Sequence, residues 1–205
     1  YTLRVTLNVA VVAMTTYYPV TINNGTVVQV QDFNWNSNTR AVVLSSFFWG
    51  YTCTQILGGW LGARVGGSKV FGAGVFVSAF LTVCSPPLAR VNVNLLVASR
   101  VVQGFFEGGT YPCLQALWAQ WAPPQERTFM VGVAFSGVPV GTVLGLQITG
   151  LIGSYLGWPA MFYVTGAVGL AWVFVFWLIV KDDPGQDPHI SDQELKYIKD
   201  STGNS

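Results

Sequence analysis

Charge is what this chain of 205 residues has least of. Only 9% of its residues are Asp, Glu, Lys or Arg, while 51% are hydrophobic and the mean hydropathy is +0.46. A soluble domain carries about 25% charged residues. Six of the nine acidic residues are crowded into the last stretch, from Asp182 to Asp200. So sparse a chain is not solvated uniformly, and its net charge of +1 says nothing about partners. No basic patch is present, and no nucleic-acid partner is expected. There is one histidine, His189, and it lies in a hydrophilic tail where it reads as a loop residue. Three cysteines, Cys53, Cys84 and Cys113, are scattered through apolar runs and read as small buried packing residues, not as a disulfide or metal set. With no His/Cys cluster, Ser–His pair or paired carboxylates, neither an enzyme nor a resident metal or cofactor is expected. Neither a cleavable leader nor a soluble domain can be read.

What fills the chain is a series of apolar runs long enough to cross a bilayer, which needs about 20 helical residues. The first, from Tyr1 to about Tyr18, is slightly short, and its helix is expected to continue upstream. Later runs cover about 41–61, 70–88, 93–118, 129–152 and 159–180. The reading is an all-α membrane protein: residues 1–180 form a six-helix bundle, and 181–205 begin a cytoplasmic linker with a short helix near 191–200. Alternating sides puts Arg64, Lys69, Arg127 and Lys181 on one face and only Arg40 and Arg90 on the other. The positive-inside rule makes the first face cytoplasmic. Asn24-Gly25-Thr26, the one glycosylation acceptor, then falls outside.

The fourth run is the informative one. At 100° per residue, Arg100, Gln103, Glu107, Tyr111 and Gln115 share one stripe of a helix whose other faces are apolar. A charge at the bilayer centre costs roughly 2.5–3.5 kcal/mol on insertion scales, so this stripe must face a polar interior. Arg100 and Glu107 are about 10 Å apart along the axis, too far for an ion pair within the helix. Each needs a partner elsewhere. Arg4 comes out about 21 Å from the membrane face near Tyr18, the same depth from the outer end as Glu107. Guanidinium groups stay charged and hold carboxylate or phosphate through two bonds, so the ligand expected here is a small anion. The competing reading is permanent pairing of Arg4, Arg100 and Glu107 to hold the helices together.

Two further patterns concern architecture. Residues 59–66 (Gly59 to Gly66) and 150–157 both read G-x-x-G-x-x-x-G, which suggests a three-plus-three inverted repeat. Gly137, Gly141 and Gly145 recur every four residues around Pro139, a spacing that lets helix backbones approach; a gating bend at Pro139 is the alternative. In the tail, Ser191 and Glu194 form a capping box with Ile190 and Leu195 as a staple.

The segment RVVQGFFEG at 100–108 resembles the fourth-helix signature of the major facilitator superfamily, and GWLGARVGGSK at 59–69 resembles its signature between helices two and three. The strings LRVTLNVAVVAM, FNWNSNTRAVVLSSFFWGYTCTQILGGW, EGGTYPCLQALWAQWAPPQER and GWPAMFYVTGAVG narrow the likeness to the anion–cation symporter family, leaning toward sialin-like proteins. The resemblance implies the amino-terminal six-helix half of a twelve-helix fold, whose partners are the carboxy-terminal half, the bilayer and a small anion. It implies substrate binding at Arg4, Arg100, Tyr111 and Gln115 and proton coupling at Glu107 and Gln103, with sodium as the alternative ion. Gly59, Arg64, Gly66 and Lys69, with Gly137, Pro139 and Gly141, would serve gating or structure, and Asn24 would carry a glycan. It also implies residence in a lysosomal, vesicular or plasma membrane. Ala63 stands where the family usually has an acid, Leu44 where glutamate carriers have His, and Gln115 where His is common. Gln103 follows the glutamate-carrier pattern. The function that results is proton-coupled transport of an acidic sugar or acidic amino acid. A sodium-coupled phosphate or anion carrier is the alternative, and a non-transporting scaffold comes last.

Overall fold

The computed structural model describes residues 1–21, 27–186 and 190–202. Asn24 and His189 lie outside them. The helices are α1 (Thr2–Thr15), α2 (Ser37–Val65), α3 (Gly67–Val91), α4 (Val93–Gly108), α5 (Thr110–Trp121), α6 (Pro124–Leu156), α7 (Trp158–Ile179) and α8 (Asp192–Thr202). Of these, α3, α6 and α7 are each long and apolar enough to cross a membrane alone. α4 and α5 follow one another as the two halves of the fourth run. α1 packs on α6 and α7, α2 on α4 and α5, and α3 on α7, α4 and α5.

Capping explains several boundaries. Asn36 accepts a bond from the Thr39 N–H at 2.7 Å and starts α2 four residues before the expected 41. Gly66 ends α2 with φ 114°, and Gly157 ends α6 with φ 83°. Among the described residues they are the only two with positive φ, a conformation that costs glycine nothing. Both donate to the carbonyl four residues back, at 3.2 and 3.1 Å. These are the final glycines of the two G-x-x-G-x-x-x-G strings, so the repeated strings adopt the same helix ending. In the tail, the Glu194 N–H donates to Ser191 Oγ at 3.2 Å, as the capping box requires.

Several expectations need correction. The helix of the first run stops at Thr15, before the expected Tyr18, and an antiparallel hairpin follows, β1 (Tyr18–Thr21) with β2 (Val27–Val30), a valine-rich pair that favours extended backbone. Asp32 fastens it: its carboxylate accepts from the Tyr18 hydroxyl at 2.8 Å and from Trp158 Nε1 at 2.6 Å. That bond also holds the Tyr18 phenol above its ordinary range. The fourth run is not continuous. It breaks at Gly109, because Pro112 has no N–H for the Gly108 carbonyl and Thr110 turns its hydroxyl onto the Glu107 carbonyl at 2.7 Å. Only Cys113 of the three free cysteines is buried; Cys53 is exposed and Cys84 intermediate.

The close-packing reading of the α6 glycines holds only at one end. A side chain added at Gly137 would meet nothing within 4 Å, and one at Gly141 would reach Tyr1 Cβ at 3.9 Å. Of these three only Gly145 is tight, 3.1–3.2 Å from Thr2; Gly153, outside that spacing, would strike Met161 Cε. The true seam is between α2 and α4–α5. There a Cβ on Gly50 would strike the Val101 carbonyl, one on Gly104 the Phe47 carbonyl, and one on Gly108 the Tyr51 carbonyl. A Cβ on Gly62 would lie 2.8 Å from Cys113 Sγ. Small residues let two backbones touch where lipid provides no hydrophobic drive.

Candidate functional site

The α2–α4 seam presses one face of α4 into the bundle and so forces its polar stripe inward. Arg100 is 3% exposed, Gln103 0% and Glu107 6%. Arg100 and Glu107 do not pair with each other. Glu107 Oε2 instead takes Arg4 Nε from α1, an ion pair between residues 103 positions apart. Glu107 Oε1 accepts the Ser78 hydroxyl from α3. Gln103 Nε2 donates to Ser78 Oγ at 2.7 Å, to the Ser78 carbonyl at 3.3 Å and to Thr82 Oγ1 at 3.1 Å. Arg100 Nη1 donates to Gln103 Oε1 at 2.5 Å. The five side chains form one line: Arg4, Glu107, Ser78, Gln103, Arg100.

Aromatic rings enclose the arginines. The Arg4 guanidinium lies 4.9 Å from the Tyr51 ring centroid, 5.0 Å from Tyr1, 5.3 Å from Phe47 and 5.7 Å from Tyr111. Phe47 also takes Arg100 at 5.7 Å, so one buried ring serves both cations. Each such contact is worth roughly 0.5–2 kcal/mol, the upper end when desolvated. Arg100 is otherwise poorly served: its Nε is buried and has no hydrogen-bond partner among the described residues. A buried donor left unpaired costs about 1–3 kcal/mol.

Arg4 stands between two cavities. One of about 200 Å³ is lined by Arg4, Glu107, Thr110, Tyr111 and Val138 among others. The second, about 230 Å³, is lined by Arg4, Asn8, Leu44, Phe47, Phe48 and Thr142. Removing one partner of a buried ion pair costs roughly 3–5 kcal/mol. Exchanging one carboxylate for another at the same guanidinium avoids that cost. A carboxylate reaching Arg4 from either cavity would therefore replace Glu107 at lower cost than a neutral group would.

Of the residues singled out in the sequence, Arg4, Glu107, Gln103, Arg100 and Tyr111 converge here. Tyr111 lines the first cavity and stacks on Phe135 at 5.6 Å. Gln115, beyond the Gly109 break, is exposed on α5 and stays outside the cluster. Gly59 and Arg64 lie in the last turns of α2, Gly66 caps it and Lys69 lies in the first turn of α3, and none of them touches the cluster. There Gly59 contacts Pro112, 3.3 Å from where its Cβ would be, and Arg64 lies 4.6 Å over the Trp60 ring. Gly137, Pro139 and Gly141 lie on the largely exposed α6, where only Gly145 and Thr149 are buried.

Sequence reasoning missed Ser78, Phe47, Tyr51 and Asp182. Ser78 had a signal: with Thr82 and Ser85 it forms a polar stripe, at helical spacing, on an otherwise apolar α3, and all three are buried. Asp182 had none. From just beyond α7 it accepts the Ser68 N–H at 2.7 Å, with Lys69 Nζ 4.0 Å away, and so caps α3. It delivers to the α2–α3 turn an acid that Ala63 does not.

A family profile described as Major Facilitator Superfamily matches residues 9–201. Curated relatives include vesicular glutamate transporter 3 of Danio rerio, 38% identical over 98% of this chain and 34% of its own length. Vesicular glutamate transporter 1 of Xenopus laevis is 38% identical over 99% of this chain and 35% of its own length. The corresponding figures for human vesicular glutamate transporter 2 are 36%, 99% and 35%. The chain thus spans about a third of the length of the curated relatives it matches.

Proposed function

We propose, for a chain that belongs to the Major Facilitator Superfamily and to its anion–cation symporter branch, that it forms the amino-terminal half of a proton-coupled carrier of small organic anions. Such a chain is part of a transporter and not an enzyme. The observation that carries the reading is the Arg4–Glu107 pair in the wall of one cavity, with Arg4 also lining a second. An incoming carboxylate takes Arg4 and releases Glu107, which then takes a proton. Binding of anion and proton become linked, and the linkage is reciprocal. Arg100 is the proposed second cation for the substrate; it is buried beside this site, lines neither cavity, and its Nε is unpartnered among the described residues.

An acidic amino acid is the first candidate substrate, because the relatives named above are called glutamate transporters. An acidic sugar such as sialic acid is the second, and it rests on Leu44 in the wall of the second cavity. The carboxy-terminal six-helix half would complete the alternating-access pair. A vesicular or lysosomal membrane is the proposed location, with residues 181–205 in the cytoplasm and a glycan on Asn24 outside. Glycosidase treatment should increase the gel mobility of the wild type but not of Asn24→Gln; an unchanged wild type would reverse the assignment of sides. The function is tested with the full-length protein in proteoliposomes, using radiolabelled L-glutamate and N-acetylneuraminate. Accumulation driven by a pH gradient is expected. Accumulation driven only by sodium would replace the proposal with a sodium-coupled carrier, and no uptake of either would overturn it.

A further inference from the structure

We propose that Ser78 of α3 is a positioning residue that holds the Glu107 carboxylate on Arg4 until an anion arrives, and that Arg100 sets the direction of its hydroxyl; this rests on the proton-coupled reading above.

The argument is one of hydrogen-bond polarity. Arginine has five N–H donors and no acceptor. The atom of Gln103 that meets Arg100 Nη1 must therefore be the amide oxygen, which places the amide nitrogen toward α3. That nitrogen donates to Ser78 Oγ at 2.7 Å. Ser78 Oγ accepts from Gln103 with one lone pair and keeps its own proton, which it donates to Glu107 Oε1. The line from Arg100 to Glu107 thus has a single direction, with donors passed from one end and an ionised carboxylate at the other.

Neighbours on the same helix show that this is not the ordinary behaviour of a hydroxyl in α3. Thr82 donates to the Ser78 carbonyl at 2.8 Å and Ser85 to the Leu81 carbonyl at 2.8 Å, each four residues back. That is the usual resting place of a helical serine or threonine. Among the described residues, Ser78 is the one α3 hydroxyl that donates to another helix. The usual alternative acceptor for a helical hydroxyl is the carbonyl four residues back, which for Ser78 is that of Gly74. The other ionisable groups around the pair are Arg4 and Tyr1, Tyr51 from α2, Tyr111 from α5 and Arg100 on Glu107's own helix.

Without the Ser78 hydroxyl, the carboxylate loses one of its two anchors, and its protonation no longer waits for the anion to take Arg4. Anion binding itself, which uses the guanidinium groups, is left in place. In the full-length protein in proteoliposomes, Ser78→Ala should retain exchange of L-glutamate at equal pH. Its accumulation under a pH gradient should fall about fivefold or more, the low end of ordinary coupling energies. Ser78→Thr, which keeps the hydroxyl, should restore accumulation. Gln103→Glu is the same size and keeps an acceptor for Arg100, but it turns the donor toward Ser78 into a second acceptor. Ser78 should then turn away from Glu107, and accumulation under a pH gradient should fall as it does in Ser78→Ala. In a Glu107→Gln background, Ser78→Ala should add nothing.

Undiminished gradient-driven accumulation in Ser78→Ala, failure of Ser78→Thr to restore it, or wild-type behaviour of Gln103→Glu would each overturn the assignment. Thermal unfolding of the purified variants needs no substrate. The shifts for Ser78→Ala and Glu107→Gln should be smaller together than their sum. If L-glutamate and N-acetylneuraminate both fail as substrates, the transport reading falls. Additive shifts would still refute the Ser78 contact on their own.

Discussion

The α2–α4 seam and α6 are equally rich in glycine and use it in opposite ways. At the seam, Gly50, Gly104 and Gly108 put backbone against backbone, with no room for a methyl group. On α6, Gly132, Gly137 and Gly150 face open space. The seam carries the chemistry, because it orients the face of α4 that bears Arg100, Gln103 and Glu107. α6 lines both cavities at Val138 and Thr142 yet buries almost nothing within this chain. The same residue type therefore marks a rigid scaffold in one place and an uncommitted surface in the other. Spacing alone does not tell them apart.

The comparison breaks most easily at the seam. Gly104→Val should be the most damaging single change, since its side chain would be driven into the Phe47 carbonyl. Overpacking costs about 1–3 kcal/mol and occasionally more. The expected result is loss of the folded, membrane-inserted protein, read by size-exclusion of detergent extracts. One turn away, Arg100→Lys should leave the protein folded and abolish transport. Lysine keeps the charge but not the planar fork, and normal uptake would mean that Arg100 supplies charge alone. On α6, Gly137→Ala should shift stability by no more than about 1 kcal/mol, on the stabilising side, because alanine is the better helix former. A large loss in the full-length protein would show that Gly137 packs against a surface outside this chain, which would sharpen the contrast by naming what α6 is open for.

Much of the site was legible because it lies on one helix. The stripe from Arg100 to Glu107 follows from helical spacing and the cost of charge in a membrane. The matching depth of Arg4 follows from counting residues along α1. Gly66 and Gly157 were visible as a repeated string, and the fold gives both the same positive-φ ending. What stayed hidden was contact between distant parts of the chain. Ser78 meets Glu107 across 29 residues and Asp182 meets Ser68 across 114; no periodicity links them. The Gly109 break was hidden differently. Pro112 was in view, but a proline inside an apolar run can bend a helix or end it, and the neighbouring glycines decided which. The α6 glycines misled because their spacing is the same as that of a true seam. Leu44 leans toward an acidic sugar in the sequence, and in the fold it lines a cavity at Arg4, so that leaning remains a question about the site itself.

Glu107→Gln tests the central claim most directly, because it holds the side chain permanently in the form of its protonated state. The measurement is uptake by the reconstituted full-length protein with and without a pH gradient, alongside substrate exchange at equal pH. The account predicts that exchange persists while the gradient no longer accelerates uptake. Retained gradient-driven accumulation would contradict it by showing that the coupling proton rides on another group. Loss of both exchange and binding would contradict it in the other direction, leaving Glu107 as a clamp on Arg4 and nothing more.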